Sequence, residues 1–548
     1  PLILNYKQMK HSSILLLIIF LLSQFSLTGQ NSIQENIHKH IDQLEQSESI
    51  KLGGETIIGN PVITGMYKNA DYNPLWDAAK NRNDLISILE DSYFEGLNPK
   101  DYRIDLIKQH DEEIENGTKV TAEYSAIADI VMTDALLTYA HHMIQGKVNP
   151  AQLDPNWNYS QRPLPDSVDF RVLYRLQTQT LKEGVKNIRP ELPMYHKLRF
   201  WFAKFDSVQK ADGDIIQIQY PGSPVRLGDS SEVVGDLKRH LSHYANTLSL
   251  TYNDVFDEEL EITIKEFQAR NGLDDDGIAG KRTFEILNMS ISDRMDIMRV
   301  NMERCRWLNN DLPEEFLLVN IADYHLYLFR NRQIDYSCRV VVGKEHHETP
   351  VFTSDIKYLV FNPTWTVPYS IASKEILPKL KRDPQYLQDR NMTLLKGDKV
   401  IDPSTIDFNR FSSGNFPFTI RQKPGPNNAL GVVKFIFPNK YFVYLHDTPS
   451  KSYFGKSERA FSHGCVRVQN PLVLAEQLLG KQSYDRAKID NILKTKKLTN
   501  VNLNEPMPVM IMYWTCYEDR EEGKMYFYSD IYGRDKKILS ELYESRQD

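Results

Sequence analysis

Cysteine is scarce in this chain, with 4 in 548 residues. That is too few to staple a protein of this size, so each thiol has to be placed separately as buried, paired or reactive. A charge excess is lacking too: 66 Lys+Arg stand against 73 Asp+Glu, a formal charge of −7. No basic face of the kind nucleic acid demands is indicated, and no nucleic-acid partner is expected. What is present is core-forming material. Hydrophobic residues make up 41% and aromatics 11%, more than a disordered chain carries. At roughly 150 residues per domain, the length holds three or four units.

The amino terminus is the first informative stretch. Met9-Lys10-His11 precedes the nine apolar residues Ile14 to Leu22, followed by Ser23, Gln24, Ser26, Thr28 and Gly29. A basic start, a short apolar region and small residues after it describe a secretory signal peptide at 9–29 with Met9 as the natural start. The run is short of the about 20 residues of a membrane span. An uncleaved anchor is the alternative, because the cleavage site is not a clean A-x-A. No cysteine lies near it for lipid attachment. The expected location is the periplasm or cell envelope.

From 30 to 217 the pattern is helical. Tyr124 to Ile144 places Ile127, Ile130, Leu137 and Ala140 on one face, with Gly146 and Pro150 as stop signals. Asp84 to Leu97 and Val172 to Lys182 read the same way. His141 and His142 point about 100° apart on a helix, which favours exposed or capping residues over a metal pair. A compact unit follows at 222–290. Asp229 and Asp257 are candidate caps of two helices, with Val234, Leu237 and Leu241, then Leu260, Ile264 and Phe267, facing inward. Asn271-Gly272 ends the second, and a turn-rich loop, Leu273 to Gly280, leads to a short third helix ending near Leu287. That acidic loop lacks the spaced ligands of a calcium-binding loop. Val225-Arg226-Leu227-Gly228-Asp229, Phe267-Gln268, Asn271-Gly272-Leu273 and Asp276-Gly277-Ile278-Ala279-Gly280 with Thr283 together resemble the small three-helix peptidoglycan-binding domain.

After Ser290 the period changes to alternation. Phe316 to Phe329, Tyr336 to Val342, Val433 to Leu445, Val509 to Trp514 and Met525 to Tyr528 read as strands of a mainly β domain at 296–540. Within it, 369–420 is less regular, with a helix-like Ala372 to Leu380, and reads as an inserted lid.

The strongest local signal is Ser462-His463-Gly464-Cys465-Val466-Arg467-Val468, preceded by Tyr444-Leu445-His446-Asp447-Thr448. Acyl transfer by cysteine needs a thiolate, a base to make it and donors for the developing oxyanion. Cys465 and His446 supply the first two residue types, and Gly464 leaves room for a carbonyl to approach backbone amides. Tyr444 and His446 fall on one face of a strand. Two other readings stay open: zinc held by Cys465, His446 and His463, a set with only three ligands and no short metal motif, and a merely buried Cys465. Cys305, Cys338 and Cys516 have no adjacent base and are expected as buried free thiols, a disulfide between two of them being the alternative.

This segment resembles the active-site signature of YkuD-type L,D-transpeptidases, over about 296 to 535. The order of units, with Phe361 to Pro368 and Arg421 to Asn428 and Gly431, is similar to the larger YcbB-type members. The fold implied is multidomain α+β: a helical scaffold, the three-helix wall-binding module and a mainly β catalytic domain with an inserted lid. The resemblance implies Cys465 as nucleophile and His446 as base, oriented by the Asp447 carbonyl, although many relatives have glycine at that position. It implies an oxyanion hole from Gly464, Cys465 and Tyr444. His463, Arg467, Trp365 and Ser462 would shape the site or meet substrate; for Arg467 a loop-holding salt bridge, and for Trp365 core packing, are the alternatives. The implied reaction takes D-alanine from a tetrapeptide donor stem through a thioester and joins the acyl group to an acceptor stem, a 3→3 cross-link. No cofactor or metal is required, carbapenems should acylate Cys465, and a monomer is expected. An L,D-carboxypeptidase and a non-catalytic wall-binding protein are the competing functions.

Overall fold

The computed structural model describes residues 32–544 except 59–60, 118–119, 154–156, 159–180, 213–216, 245–252, 309–311 and 520–522. The proposed signal segment 9–29 and most of the expected helix Val172 to Lys182 lie outside the described residues. Among the described residues no helix is long and apolar enough to cross a membrane.

The amino-terminal region is helical with one departure. Helices Pro61–Asn69, Ala79–Asp91, Ile104–Glu115, Ala122–Gln145 and Pro193–Asp212 follow one another, but an antiparallel hairpin of β1 (Ser49–Leu52) and β2 (Glu55–Ile58) precedes them. Its four-residue strands are too short to show as alternation. The Ala122–Gln145 helix starts where the Thr121 hydroxyl accepts the Tyr124 N–H, a side-chain cap that fixes the first turn. The segment expected as one helix to Leu97 ends instead at Asp91 and continues as a 3-10 turn, Ser92–Glu95, closed by Gly96 in a left-handed conformation. His141 is exposed, as expected, whereas the His142 ring takes a hydrogen bond with the Tyr102 hydroxyl at 3.0 Å.

The compact module packs Val234, Leu237, Leu241, Leu260, Ile264, Phe267, Phe284 and Leu287 into a core of its own. Asp257 caps the Glu258–Arg270 helix through the Leu260 N–H. Asp229 does not act as the other cap. The Glu232–Tyr244 helix begins three residues later, and the Asp229 carboxylate closes a turn by accepting the Arg226 N–H. In the acidic loop, Asp276 accepts from Gln268 and the Ile278 N–H.

Helix Ile291–Arg306, started by a Ser290/Asp293 capping box, joins the module to the β region. Around it one apolar core runs from Tyr195 and Phe202 of the scaffold to Phe316, Leu318, Met510 and Met512 of the strands. Cys305, Cys338 and Cys516 are buried free thiols, as expected, and Cys465 is free and half-buried.

The strands close on themselves. β3 (Phe316–Asn320), β4 (His325–Arg330), β5 (Gln333–Gly343), β6 (Phe352–Phe361), β11 (Val433–Ile436), β12 (Leu445–His446), β14 (Val466–Val468) and β15 (Thr499–Met512) form the ring β5-β14-β12-β11-β6-β15-β3-β4-β5, with short β13 (Ala460–Ser462) attached to β5. Alternation fills the barrel with Val340, Val342, Leu359, Phe361, Val433, Phe435, Leu445, Val466 and Val468. Closure leaves few open edges. The stretch expected as one strand from Val433 to Leu445 breaks after Ile436.

The insert is a folded unit. β7 (Trp365–Thr366), β8 (Met392–Lys396), β9 (Lys399–Ile401) and β10 (Thr419–Gln422) make a separate sheet in the order β7-β10-β8-β9. Val367, Ile376, Leu377, Leu387, Phe408, Phe416, Phe418 and Ile420 form its core. Residues 372–380 are helical as expected, the first part being the π-turn Ala372–Ile376. The last pair of strands, β16 (Cys516–Glu518) and β17 (Met525–Phe527), forms a hairpin outside the barrel.

Candidate active site

The site lies on the outer face of the barrel, because its residues alternate with the core positions. Register pairs Lys434 of β11 with His446 of β12, and His446 with Arg467 of β14. The row continues to Val360 on β6 and Val341 on β5. Their neighbours Val433, Leu445 and Val466 point into the barrel. Tyr444 and Cys465 immediately precede Leu445 and Val466, so they share the outer face with this row. The Tyr444 and His446 rings are 5.6 Å apart, edge to face.

The turn between β13 and β14 carries the thiol. Its backbone is braced by Ser462, a buried residue whose hydroxyl accepts the Gly464 N–H at 3.1 Å and donates to the Cys465 carbonyl at 2.5 Å. Gly464 has φ +105°, and a Cβ there would only reach ordinary contact with the Glu348 carbonyl at 3.4 Å, so the backbone angle is what demands glycine. Only glycine takes that backbone without strain. The Thr349 hydroxyl holds the Gly464 carbonyl at 2.9 Å. The Gly464 amide is thus engaged by Ser462, while the Cys465 N–H has no acceptor among the described backbone bonds.

His446 is buried, and its Nδ1–H donates to the Asp447 carbonyl at 2.5 Å. This leaves Nε2 as the acceptor nitrogen. Asp447 is itself fixed: its N–H donates to the Val433 carbonyl at 2.9 Å, and its carboxylate takes the Val432 N–H at 2.9 Å and Lys451 at 2.5 Å. Gly431 makes room for that carboxylate, since a Cβ there would lie 2.1 Å from Asp447 Oδ2. The orienting contact therefore survives the change from glycine to aspartate, because it uses the main chain.

Burial sets the protonation of the pair. It pushes His446 down to about 3, helped by the nearby Arg467, Lys434 and Lys451 cations and opposed by the Asp447 bond. Burial pushes the Cys465 thiol up, opposed by hydrogen bonds from the Tyr444 N–H and hydroxyl and by Arg467 and Lys434. At neutral pH the resting pair is thiol and neutral imidazole. Tyr444 is also raised by burial and keeps its proton to donate toward sulfur.

The remaining expected residues divide. His463 faces the insert, with Nε2 2.8 Å from Glu375 Oε1 and its ring 5.0 Å from that of His347. The three side chains weighed as a zinc set therefore do not converge. Among the described residues Arg467 makes no loop-holding salt bridge, and its Nε is buried without a hydrogen-bond partner. Trp365 is partly buried against the core of the insert and pairs across β7 with Gln422, which is the packing alternative.

Three residues at the site carry no signal in the motif. Lys434 is one position in an alternating strand, Glu375 sits in the insert, and Phe442 is 85% exposed at φ +57°, its carbonyl 3.9 Å from the Cys465 sulfur. Strand register sets Lys434 beside His446, the insert brings Glu375 to His463, and the loop before β12 brings the Phe442 carbonyl to Cys465.

Residues 314–501 match the YkuD family, described as the L,D-transpeptidase catalytic domain. Residues 230–287 match a "Putative peptidoglycan binding domain", and residues 61–200 a scaffold domain. A Haemophilus influenzae protein named "Putative L,D-transpeptidase" is 36% identical over 228 residues, 41% of this chain and 46% of that protein. The match thus spans about half the length of that curated relative. Two solved structures overlay weakly. The L,D-transpeptidase from Xylanimonas cellulosilytica is 11% identical over 54% of this chain and 99% of that one, with a TM-score of 0.17. The Ldtfm–avibactam carbamoyl enzyme is 10% identical over 37% and 49%, with a TM-score of 0.18. At such scores neither overlay bears on the fold.

Proposed function

We propose that this chain, whose residues 314–501 match the L,D-transpeptidase catalytic domain and 230–287 a peptidoglycan-binding domain, forms 3→3 cross-links between peptidoglycan stem peptides with Cys465 as nucleophile. The observation that carries this reading is the oriented base: His446, its Nδ1–H spent on the Asp447 carbonyl, on the barrel face it shares with Cys465.

In the first step Nε2 of His446 takes the thiol proton and Cys465 Sγ attacks the carbonyl carbon of the third residue of a tetrapeptide stem. Oxyanion charge meets the Cys465 N–H and the Tyr444 hydroxyl. The Gly464 amide, assigned to the same task by resemblance, is held by Ser462 and acts by shaping the turn. The carbon–nitrogen bond then breaks, the imidazolium returns its proton to the departing nitrogen, and D-alanine leaves with a thioester behind. In the second step the side-chain amine of a third-position diamino acid on an acceptor stem attacks that thioester. His446 takes the amine proton and returns it to sulfur. The three-helix module would hold the glycan strand, and the enzyme would work outside the cytoplasm. A carbapenem, an activated amide, would acylate Cys465 by the first step alone.

Purified enzyme incubated with disaccharide tetrapeptides should yield D-alanine and 3→3 dimers by mass spectrometry, and Cys465→Ala should yield neither. Dimers from the Cys465→Ala protein would sink this assignment. Tripeptide without dimers would make the enzyme a carboxypeptidase.

A further inference from the structure

Two cations flank the base, and neither pairs with an anion among the described residues. Lys434 and Arg467 sit on either side of His446 in the same cross-strand row. Both are half-buried. Lys434 Nζ lies 5.5 Å from the centre of the Tyr444 ring. Among the described residues, a Cys465 thiolate is what favours its charge, and Tyr453 and Cys465 favour that of Arg467. No described carboxylate pairs with either, and Asp447, next to His446 in the chain, is taken by Lys451. A partly desolvated cation without a partner is unfavourable unless an anion joins it. At neutral pH the thiol is protonated and does not supply one.

The chemistry of the reaction says where that anion belongs. His446 returns a proton to the departing nitrogen, so groups beside His446 face what is attached to that nitrogen. In an amino acid leaving group this is a carbon bearing a carboxylate. We infer that Lys434, with Arg467 across His446 from it, forms the subsite for the free terminal carboxylate of the donor, so that the enzyme takes donors ending one residue beyond the scissile bond. A donor extended by another residue presents an amide there and leaves both cations unpaired. This inference rests on the acyl-transfer reading above and adds the determinant of donor length.

The test compares a synthetic tetrapeptide stem ending in a free carboxylate with the same stem ending in a carboxamide. The readout is kcat/KM for release of D-alanine or D-alaninamide, by mass spectrometry. Wild-type enzyme should prefer the carboxylate donor by about tenfold or more, the size of a charged hydrogen bond. Lys434→Met should bring the ratio close to one, mainly through KM for the carboxylate donor, and Lys434→Arg should retain most of the preference. The ratio cancels any general effect of Lys434 on the thiol, and the wild-type comparison needs no variant to fold. Equal use of both donors by wild-type enzyme overturns the inference. So does a Lys434→Met protein that loses both donors in equal proportion. Release from neither donor contradicts the acyl-transfer reading itself, which separates the two failures.

Discussion

The His446 imidazole is aimed by its neighbour's main chain: Nδ1–H donates to the Asp447 carbonyl at 2.5 Å, and Asp447 is pinned by the Val432 and Val433 backbone. A carbonyl orients the ring without adding a negative charge, so nothing anionic offsets burial and the nearby cations. His446 stays neutral, ready to accept a proton.

Replacing the base tests this arrangement. His446→Gln should keep the fold and lower the rate of Cys465 acylation by a carbapenem about 100-fold or more, the usual contribution of a positioned base. Stopped-flow acylation measures it. A loss under threefold would show that another group takes the proton.

Gly431→Ala probes the support behind the base. The new Cβ would collide with the Asp447 carboxylate, and φ at this position is +59°. Strain of about 1 kcal/mol or more is expected, with a lower Tm and slower acylation together. Unchanged acylation in a folded variant would mean that the Asp447 carboxylate does not matter to the base.

The pH dependence follows from the directions of the two shifts. His446 is depressed to about 3, while an unfolded histidine titrates near ~6.5. Folded protein therefore binds fewer protons between those values, and its stability is present above ~6.5 and falls as pH drops toward 3. Urea unfolding at pH 5 and pH 7.5 should show a larger loss for wild type than for His446→Gln. The kcat/KM profile should be flat across the ordinary histidine range, and an inflection near 6.5 would contradict a buried neutral base.

The His463–Glu375 pair ties the catalytic turn to the insert at 2.8 Å, with side chains 32% and 46% exposed. Exposed pairs contribute little to global stability, about 0–1 kcal/mol. Glu375→Ala should leave Tm nearly unchanged but raise hydrogen exchange in Tyr369–Leu380. Exchange unaltered there would show that the insert is held by its own core alone.

The local chemistry was legible in the sequence, and the long-range geometry was not. Cys465, Gly464 and Ser462 fall in one short motif, and Tyr444 and His446 in another, so alternation already put the latter two on one face. The Asp257 cap and the module's inward residues were readable for the same local reason. Barrel closure was not, because the β5–β14 and β6–β15 pairings depend on partners distant in the chain. Lys434 escaped notice because a lysine in a strand reads as a solvated position until register sets it beside His446. The hairpin β1–β2 was hidden by its shortness, and the turn role of Asp229 by a helix that starts three residues beyond it.

The central claim is that Cys465 carries the acyl group. Intact-mass measurement of enzyme quenched during turnover of a tetrapeptide donor tests it most directly. A gain equal to the donor less D-alanine is expected, mapped to the peptide containing Cys465 and absent from Cys465→Ala. D-alanine release with no adduct on Cys465, or an adduct that persists in Cys465→Ala, would contradict it.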